Sequence, residues 1–166
     1  MWIYLFRHGI AWDREDPLCP PDIERPLTEK GIKRTQASVF GVRQLKPVIE
    51  RVWVSSYLRA NQTLQHSAPI LGIEKLEPEV HEDMTPDGSV STFLKRVMNT
   101  QASGIFCVGH APHLDDVIQE AMHARNGSVR LKKAGLAILK YENKNFTLQG
   151  LYTPASLRRL GQLEGS

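Results

Sequence analysis

Apolar and polar positions along this chain fall into short blocks that alternate between the period of a strand and that of a helix. Met1 to Phe6 is a short β-branched and aromatic run that reads as a buried strand. It ends at Arg7-His8-Gly9, where the glycine permits a sharp turn or a close backbone approach. Residues 13–26 are polar and carry Pro17, Pro20, Pro21 and Pro26, which predicts a loop. Pro26-Leu27-Thr28 opens a helix with Thr28 as N-cap. Ile32, Val39, Val42 and Leu45 keep near-helical spacing to about Leu45, and Pro47 ends it.

Arg51 to Val54 predicts a second strand, followed by Ser55 and Ser56 as N-cap candidates. The helix they open runs from about Tyr57 to Leu71, where Gly72 stops it. Glu79-Val80-His81 suggests a brief third strand. Val90 to Asn99 reads as a helix with Phe93, Leu94 and Val97 on one face. Ile105 to Val108 is a fourth strand running into Gly109-His110. Pro112 suits the first turn of a helix continuing to about His123. Ala134 to Tyr141 and Phe146 to Leu151 flank Asn143-Lys144-Asn145, a hairpin signal. No repeat, low-complexity stretch or interior linker interrupts the series.

This alternation predicts a three-layer α/β/α sandwich with a mostly parallel, roughly six-stranded sheet, formed as a single domain over residues 1–166. In such sheets ligands bind beyond the carboxyl ends of the strands. Arg7-His8 follows the first strand, Ser55 to Arg59 the second, and His110 the fourth. Three chemically active segments, far apart in sequence, are therefore expected on one edge.

Composition refines this only slightly. Hydrophobic residues make up 41% and charged residues 23%, ordinary values for a globular protein. A formal net charge of +3 suits an anionic substrate without indicating nucleic acid. Cys19 lies in the proline-rich loop and Cys107 in an apolar run. Two such cysteines make no disulfide framework and fit a reducing compartment. The first apolar run is too short for a secretory segment, and no stretch approaches the about 18 apolar residues of a membrane span. A cytoplasmic location with no membrane partner is expected.

A phosphoryl group in transfer spreads charge over three oxygens, so its catalysis is mainly positioning and electrostatic stabilisation. Arg7 and Arg59 each offer a guanidinium fork to two such oxygens. An imidazole with one free nitrogen is a nucleophile near neutral pH, provided an acceptor fixes its other nitrogen. A second imidazole, protonated beside a bound anion, adds another donor. No metal and no cofactor is called for, because the spacing of a hydrolytic zinc site is absent. His113, three residues past His110, reads as a helix residue near the site mouth.

Leu5-Phe6-Arg7-His8-Gly9 resembles the signature of the histidine phosphatase superfamily, which includes the phosphoglycerate mutases. The likeness continues in order. Arg25-Pro26-Leu27-Thr28 with Gly31, the Ser55-Ser56 to Thr63 block containing Arg59, and Val108-Gly109-His110-Ala111-Pro112 are each similar to family blocks. Met84-Thr85-Pro86-Asp87-Gly88 and Leu151-Tyr152-Thr153-Pro154 resemble the short SixA-type branch, which contains bacterial phosphohistidine phosphatases. The resemblance implies His8 as the phosphorylated nucleophile, with Arg7, Arg59 and His110 holding the phosphoryl group.

Where the chain departs from the family, the departures suggest a substrate. One branch places an acid after the second histidine, and here that position is Ala111. The mutase-like branch takes a glutamate from the segment after the third strand, where the nearest matches are Glu82 and Asp83, with Asp83 the candidate proton donor. A weak acid suits an imidazole leaving group, which is protonated near neutrality, better than an alkoxide. Larger members insert a helical cap after the third strand, and here one helix fills most of that interval, so no large cap and an open site are expected. Residues 10–24 hold only Arg14 as a further basic contact. The expected activity is hydrolysis of phosphohistidine on a partner protein domain. A broad phosphomonoesterase acting on small phosphorylated substrates and a non-catalytic phospho-binding module are the alternatives.

Overall fold

The computed structural model describes residues 1–162, so the last four residues of the expected domain lie outside the described residues. The strands are β1 (Trp2–Arg7), β2 (Arg51–Val54), β3 (Pro78–Val80), β4 (Gly104–Gly109), β5 (Leu136–Glu142) and β6 (Asn145–Tyr152). The helices are α1 (Glu29–Gln44), α2 (Leu58–Leu71), α3 (Val90–Asn99), α4 (His113–Ala121) and α5 (Pro154–Gly161), with short 3-10 turns at Asp22–Glu24 and Glu82–Met84.

The strands form one six-stranded sheet in the order β3-β2-β4-β1-β5-β6. The pairs from β3 to β1 are parallel, and the β5–β6 hairpin adds on antiparallel to β1. The mostly parallel α/β expectation therefore holds. No large cap interrupts the fold: β3 is followed only by a short turn and α3 before the chain returns to β4.

Strand periodicity splits the core into two layers. Ile3 and Leu5, Ile105 and Cys107, and Trp53 point to one face, beneath α3 and α4. Tyr4 and Phe6, Phe106 and Val108, and Val52 and Val54 point to the other, beneath α1, α2 and α5. Because β1 and β4 are covered on both faces they read as continuous apolar runs rather than alternating ones. Full burial of each such side chain contributes about 1.5–3 kcal/mol.

Local chemistry explains most element ends. The Thr28 side chain accepts from the Gly31 amide to cap α1, and Ser89 caps α3 in the same way through Thr92. Gly72 closes α2 in the left-handed conformation. The hairpin turns on Asn143 and Lys144, both at positive φ, the geometry that matches strand twist.

Three boundaries differ from expectation. Pro112 precedes α4 as its N-cap, joined to Ala111 by a cis peptide, and the helix stops at Ala121. Tyr57, not Ser55 or Ser56, occupies the N-cap position of α2. Helix α5 was not anticipated. Thr153 caps it by accepting from the Ser156 amide, with Pro154 in its first turn. It lies so close on α1 that a Cβ at Gly41 would overlap the Leu157 carbonyl. Gly31 likewise lets the first turn of α1 press on the Ile10 carbonyl, which fixes the loop leaving β1.

Candidate active site

The parallel register of the central strands brings the three expected segments together. Arg7 pairs with Gly109, and Val54 with Val108, so His8, Ser55 and His110 emerge side by side at the carboxyl edge. The His8 amide donates to the Gly109 carbonyl at 3.0 Å and the Ser55 amide to Val108 at 3.1 Å, which locks the strand ends. From α2, Thr63 accepts from the Gly9 amide and Gln62 from the Leu27 amide, tying the loop after β1 and the entry to α1 to the same helix.

His8 is only 4% exposed. Its Nδ1 lies 2.7 Å from the Gly9 carbonyl oxygen, which can only accept, so Nδ1 carries the hydrogen. Nε2 then holds the lone pair, and Arg59 Nε donates to it at 3.3 Å. Burial holds the His8 imidazole well below its ordinary pKa, and the nearby His110, Arg59 and Arg7 push the same way against the Gly9 bond. His8 is neutral, with its free nitrogen aimed at a guanidinium.

Arg59, 1% exposed, sits in the first turn of α2. Its Nη1 donates to the Asp22 carbonyl at 2.6 Å and its Nη2 to the Asp22 carboxylate at 3.2 Å. Its guanidinium carbon lies 4.7 Å from the centre of the Tyr57 ring. Asp22 also meets Arg25 at 2.9 Å and Arg14 at 3.1 Å, so one carboxylate gathers three arginines. Despite some burial, these arginines hold the Asp22 carboxyl below its usual range. Arg7 Nη1 donates to the Leu131 carbonyl at 2.7 Å, while its Nε has no partner.

His110 stands with its ring 4.9 Å from that of His8. Its Nε2 pairs with Ser55 Oγ at 2.8 Å, and its Nδ1 has no partner. Burial, then the Arg59 charge, lowers its pKa to about 3, with Asp22 pulling it partly back. Both imidazoles are neutral and the arginines are the cations. An entering dianion would favour protonation of His110, since a nearby opposite charge stabilises the charged form.

Asp83 is placed differently from the pocket residues. It lies on the turn after β3, with Oδ2 accepting from Arg96 Nη2 at 2.9 Å and Nε at 3.2 Å. Its charge is felt by the buried His113 and Cys107 rather than by His8. Glu82 accepts from Ser56 Oγ at 3.0 Å. Among the described residues neither carboxylate hydrogen-bonds to His8 or His110. His113 is not at the site mouth but buried, edge-on to Phe93.

His8, Arg7 and Arg59 open into a cavity of about 690 Å³ that Arg14, Arg25 and Lys133 also line. An adjoining cavity of about 530 Å³ runs along Asp22, Tyr57 and Ala111. Sequence reasoning found Arg7, His8, Arg59 and His110, and the fold brings all four together. It missed Asp22, Arg25, Lys133 and the Ser55 contact to His110. Arg25 lies in a segment that resembles a family block and Asp22 stands three residues before it in the loop, and these are the signals the sequence offers for them. Among the described residues no cluster of three His, Cys, Asp or Glu side chains could hold a metal ion, and no helix is long and apolar enough to cross a membrane.

Known proteins share this chain's sequence pattern and fold. The pattern of the histidine phosphatase superfamily (branch 1) matches residues 3–85. An uncharacterised protein of Picosynechococcus is 36% identical over 146 residues, covering 84% of this chain and 85% of that one. The phosphohistidine phosphatase SixA of Escherichia coli K12 is 27% identical over 162 residues, covering 95% and 97%. A solved structure of the protein histidine phosphatase SixA complexed with tungstate superposes with a TM-score of 0.80 at 27% identity, covering 95% of this chain and 99% of that one. A putative α-ribazole-5'-P phosphatase from Escherichia coli shares the fold at 18% identity, with a TM-score of 0.74 over 94% and 98%. Carrying the family's pattern along half its length and sharing the fold of a SixA phosphatase, this chain belongs to the histidine phosphatase superfamily, in its SixA-type branch, and is a hydrolase.

Proposed function

We propose that this protein hydrolyses phosphohistidine carried by a partner protein, through a covalent phosphohistidine on His8. The observation that carries the reading is the fixed tautomer of His8: Nδ1 bonded to Gly9, the Nε2 lone pair held by Arg59, and, among the described residues, no carboxylate bonded to either imidazole. In the first step the Nε2 lone pair attacks phosphorus and the P–N bond to the substrate imidazole breaks. That imidazole leaves with its electron pair and takes a proton from solvent. In the second step water attacks phosphorus, the His8–phosphorus bond breaks, and inorganic phosphate departs. Arg7 and Arg59 neutralise the equatorial oxygens, and His110, which takes a proton from solvent as the dianion enters, donates to a third through Nδ1. An oxygen that takes up Arg59 also releases the His8 lone pair for attack.

Leaving-group chemistry favours P–N over P–O substrates. An alkoxide needs a well-placed acid, and Asp83 is already tied to Arg96. The relatives' names also support a phosphorylated protein substrate: one is a phosphohistidine phosphatase and the solved structure is a protein histidine phosphatase. The small-molecule reading keeps support from phosphatase neighbours such as the putative α-ribazole-5'-P phosphatase, which share the fold.

A single-turnover labelling experiment tests the proposal. Incubation with a phosphohistidine protein should leave acid-labile, base-stable phosphate on the enzyme, and His8→Ala should abolish it. Equal or faster labelling from aryl or sugar phosphates would instead support the phosphomonoesterase.

A further inference from the structure

A third cavity, about 400 Å³, shares Arg7, Ile10 and Lys133 with the catalytic one. Its other charged walls are Arg34 from α1, Lys132 from the segment before β5, and Arg158 from α5. Among the described residues five cations line it and no carboxylate does. On the neighbouring rim of the catalytic cavity, by contrast, Arg14 and Arg25 are paired with Asp22. Among the described residues Arg34, Lys132, Lys133 and Arg158 form no ion pair. Together they make a positive potential that attracts an anion.

The fold holds this cluster in fixed relation to the chemistry. The Leu131 amide donates to Asp115 at 2.7 Å while its carbonyl accepts from Arg7. The Ala134 amide, at positive φ, reaches the carbonyls of Arg7 and His8 at 3.0 and 3.2 Å. Lys132 and Lys133 are thus braced between two anchors on the residues that carry the reaction. The cavity is open, and Ile10, Ala134 and Pro154 give it apolar lining suited to side-chain methylenes.

We infer that this cavity is a second anion subsite, which receives carboxylate side chains flanking the phosphohistidine of an acidic protein partner. It rests on the phosphohistidine reading and adds to it the kind of surface the partner presents. A carboxylate seated there would also set the register of the phosphohistidine over His8.

Two synthetic peptides provide the test, identical except that glutamates or glutamines flank a central phosphohistidine, each also made without phosphate. Wild-type protein should favour the glutamate peptide by about tenfold in kcat/KM, and its unphosphorylated form in Kd by fluorescence anisotropy, with both preferences shrinking as salt is added. In the combined Arg34→Ala, Lys132→Ala, Arg158→Ala variant the preference should fall within about twofold, whereas Arg34→Lys with Arg158→Lys should keep it. No preference in the wild type, or one unchanged in the alanine variant, overturns the inference. Preferential binding of glutamate peptides without hydrolysis refutes the phosphohistidine reading and leaves the subsite standing. Equal hydrolysis of both peptides does the reverse. Circular dichroism melting of both variants separates lost folding from lost recognition.

Discussion

Acid should destabilise this protein through its buried imidazoles before its carboxylates protonate. His8, His110 and His113 are each under 5% exposed, and burial is the first cause lowering each pKa. A histidine with pKa about 6.5 in the unfolded chain binds a proton there that the folded chain refuses. For His110 that window runs from the ordinary histidine value of 6.5 down to about 3. Within it the unfolded state holds more protons, so stability is complete above the unfolded value and is lost as pH falls. Keeping His110 neutral costs about 2 kcal/mol on moving from about pH 7.5 to about pH 5.0, a large share of a typical stability of about 5–15 kcal/mol. Burial pushes His8 in the same direction and adds to the loss. With a urea m-value of about 2 kcal/mol/M, the unfolding midpoint should fall by at least about 1 M over that range. His110→Asn should remove about 1 M of that fall, and the His110 ring resonance followed by NMR should not titrate above about pH 5. A midpoint that moves by less than about 0.5 M, or a His110 that titrates near its ordinary value, refutes the reasoning.

Further predictions concern single contacts. Ser55→Ala leaves His110 Nε2 buried without a partner, so stability should drop by about 1–3 kcal/mol and kcat should fall about tenfold with KM little changed. Recovery of kcat in Ser55→Thr would mark Ser55 as a positioning residue. Asp83→Asn should lower the urea midpoint by about 1–2 kcal/mol equivalent through the Arg96 pair, while turnover of a phosphoramidate stays within about threefold. A hundredfold loss of turnover would return Asp83 to the role of proton donor. Gly41→Ala must part α1 from α5 at the Leu157 carbonyl and should cost about 1–3 kcal/mol in urea unfolding.

Much of the fold was legible because its signals are local. Cap residues, helix-stopping Gly72 and the apolar runs of β1 and β4 act within a few positions, so the element order could be read directly. Helix α5 escaped because its apolar face is slight: only Leu157 is buried, and the helix is held by close packing on Gly41. Ser55 was read as a cap because its own neighbours suggest one, while its hydroxyl in fact meets a histidine 55 residues away.

The sequence by itself determined which groups perform chemistry here: an imidazole after one strand, a second after another, and arginines beside them. It also determined, through strand–helix alternation, that these groups share one edge. Only the tertiary structure decided their state. The Gly9 carbonyl selects the His8 tautomer, burial keeps both imidazoles neutral, and Asp22 draws Arg14, Arg25 and Arg59 around one carboxylate. Those properties depend on solvent exclusion and on charges brought close from distant segments, and neither is a property of any stretch of chain taken alone.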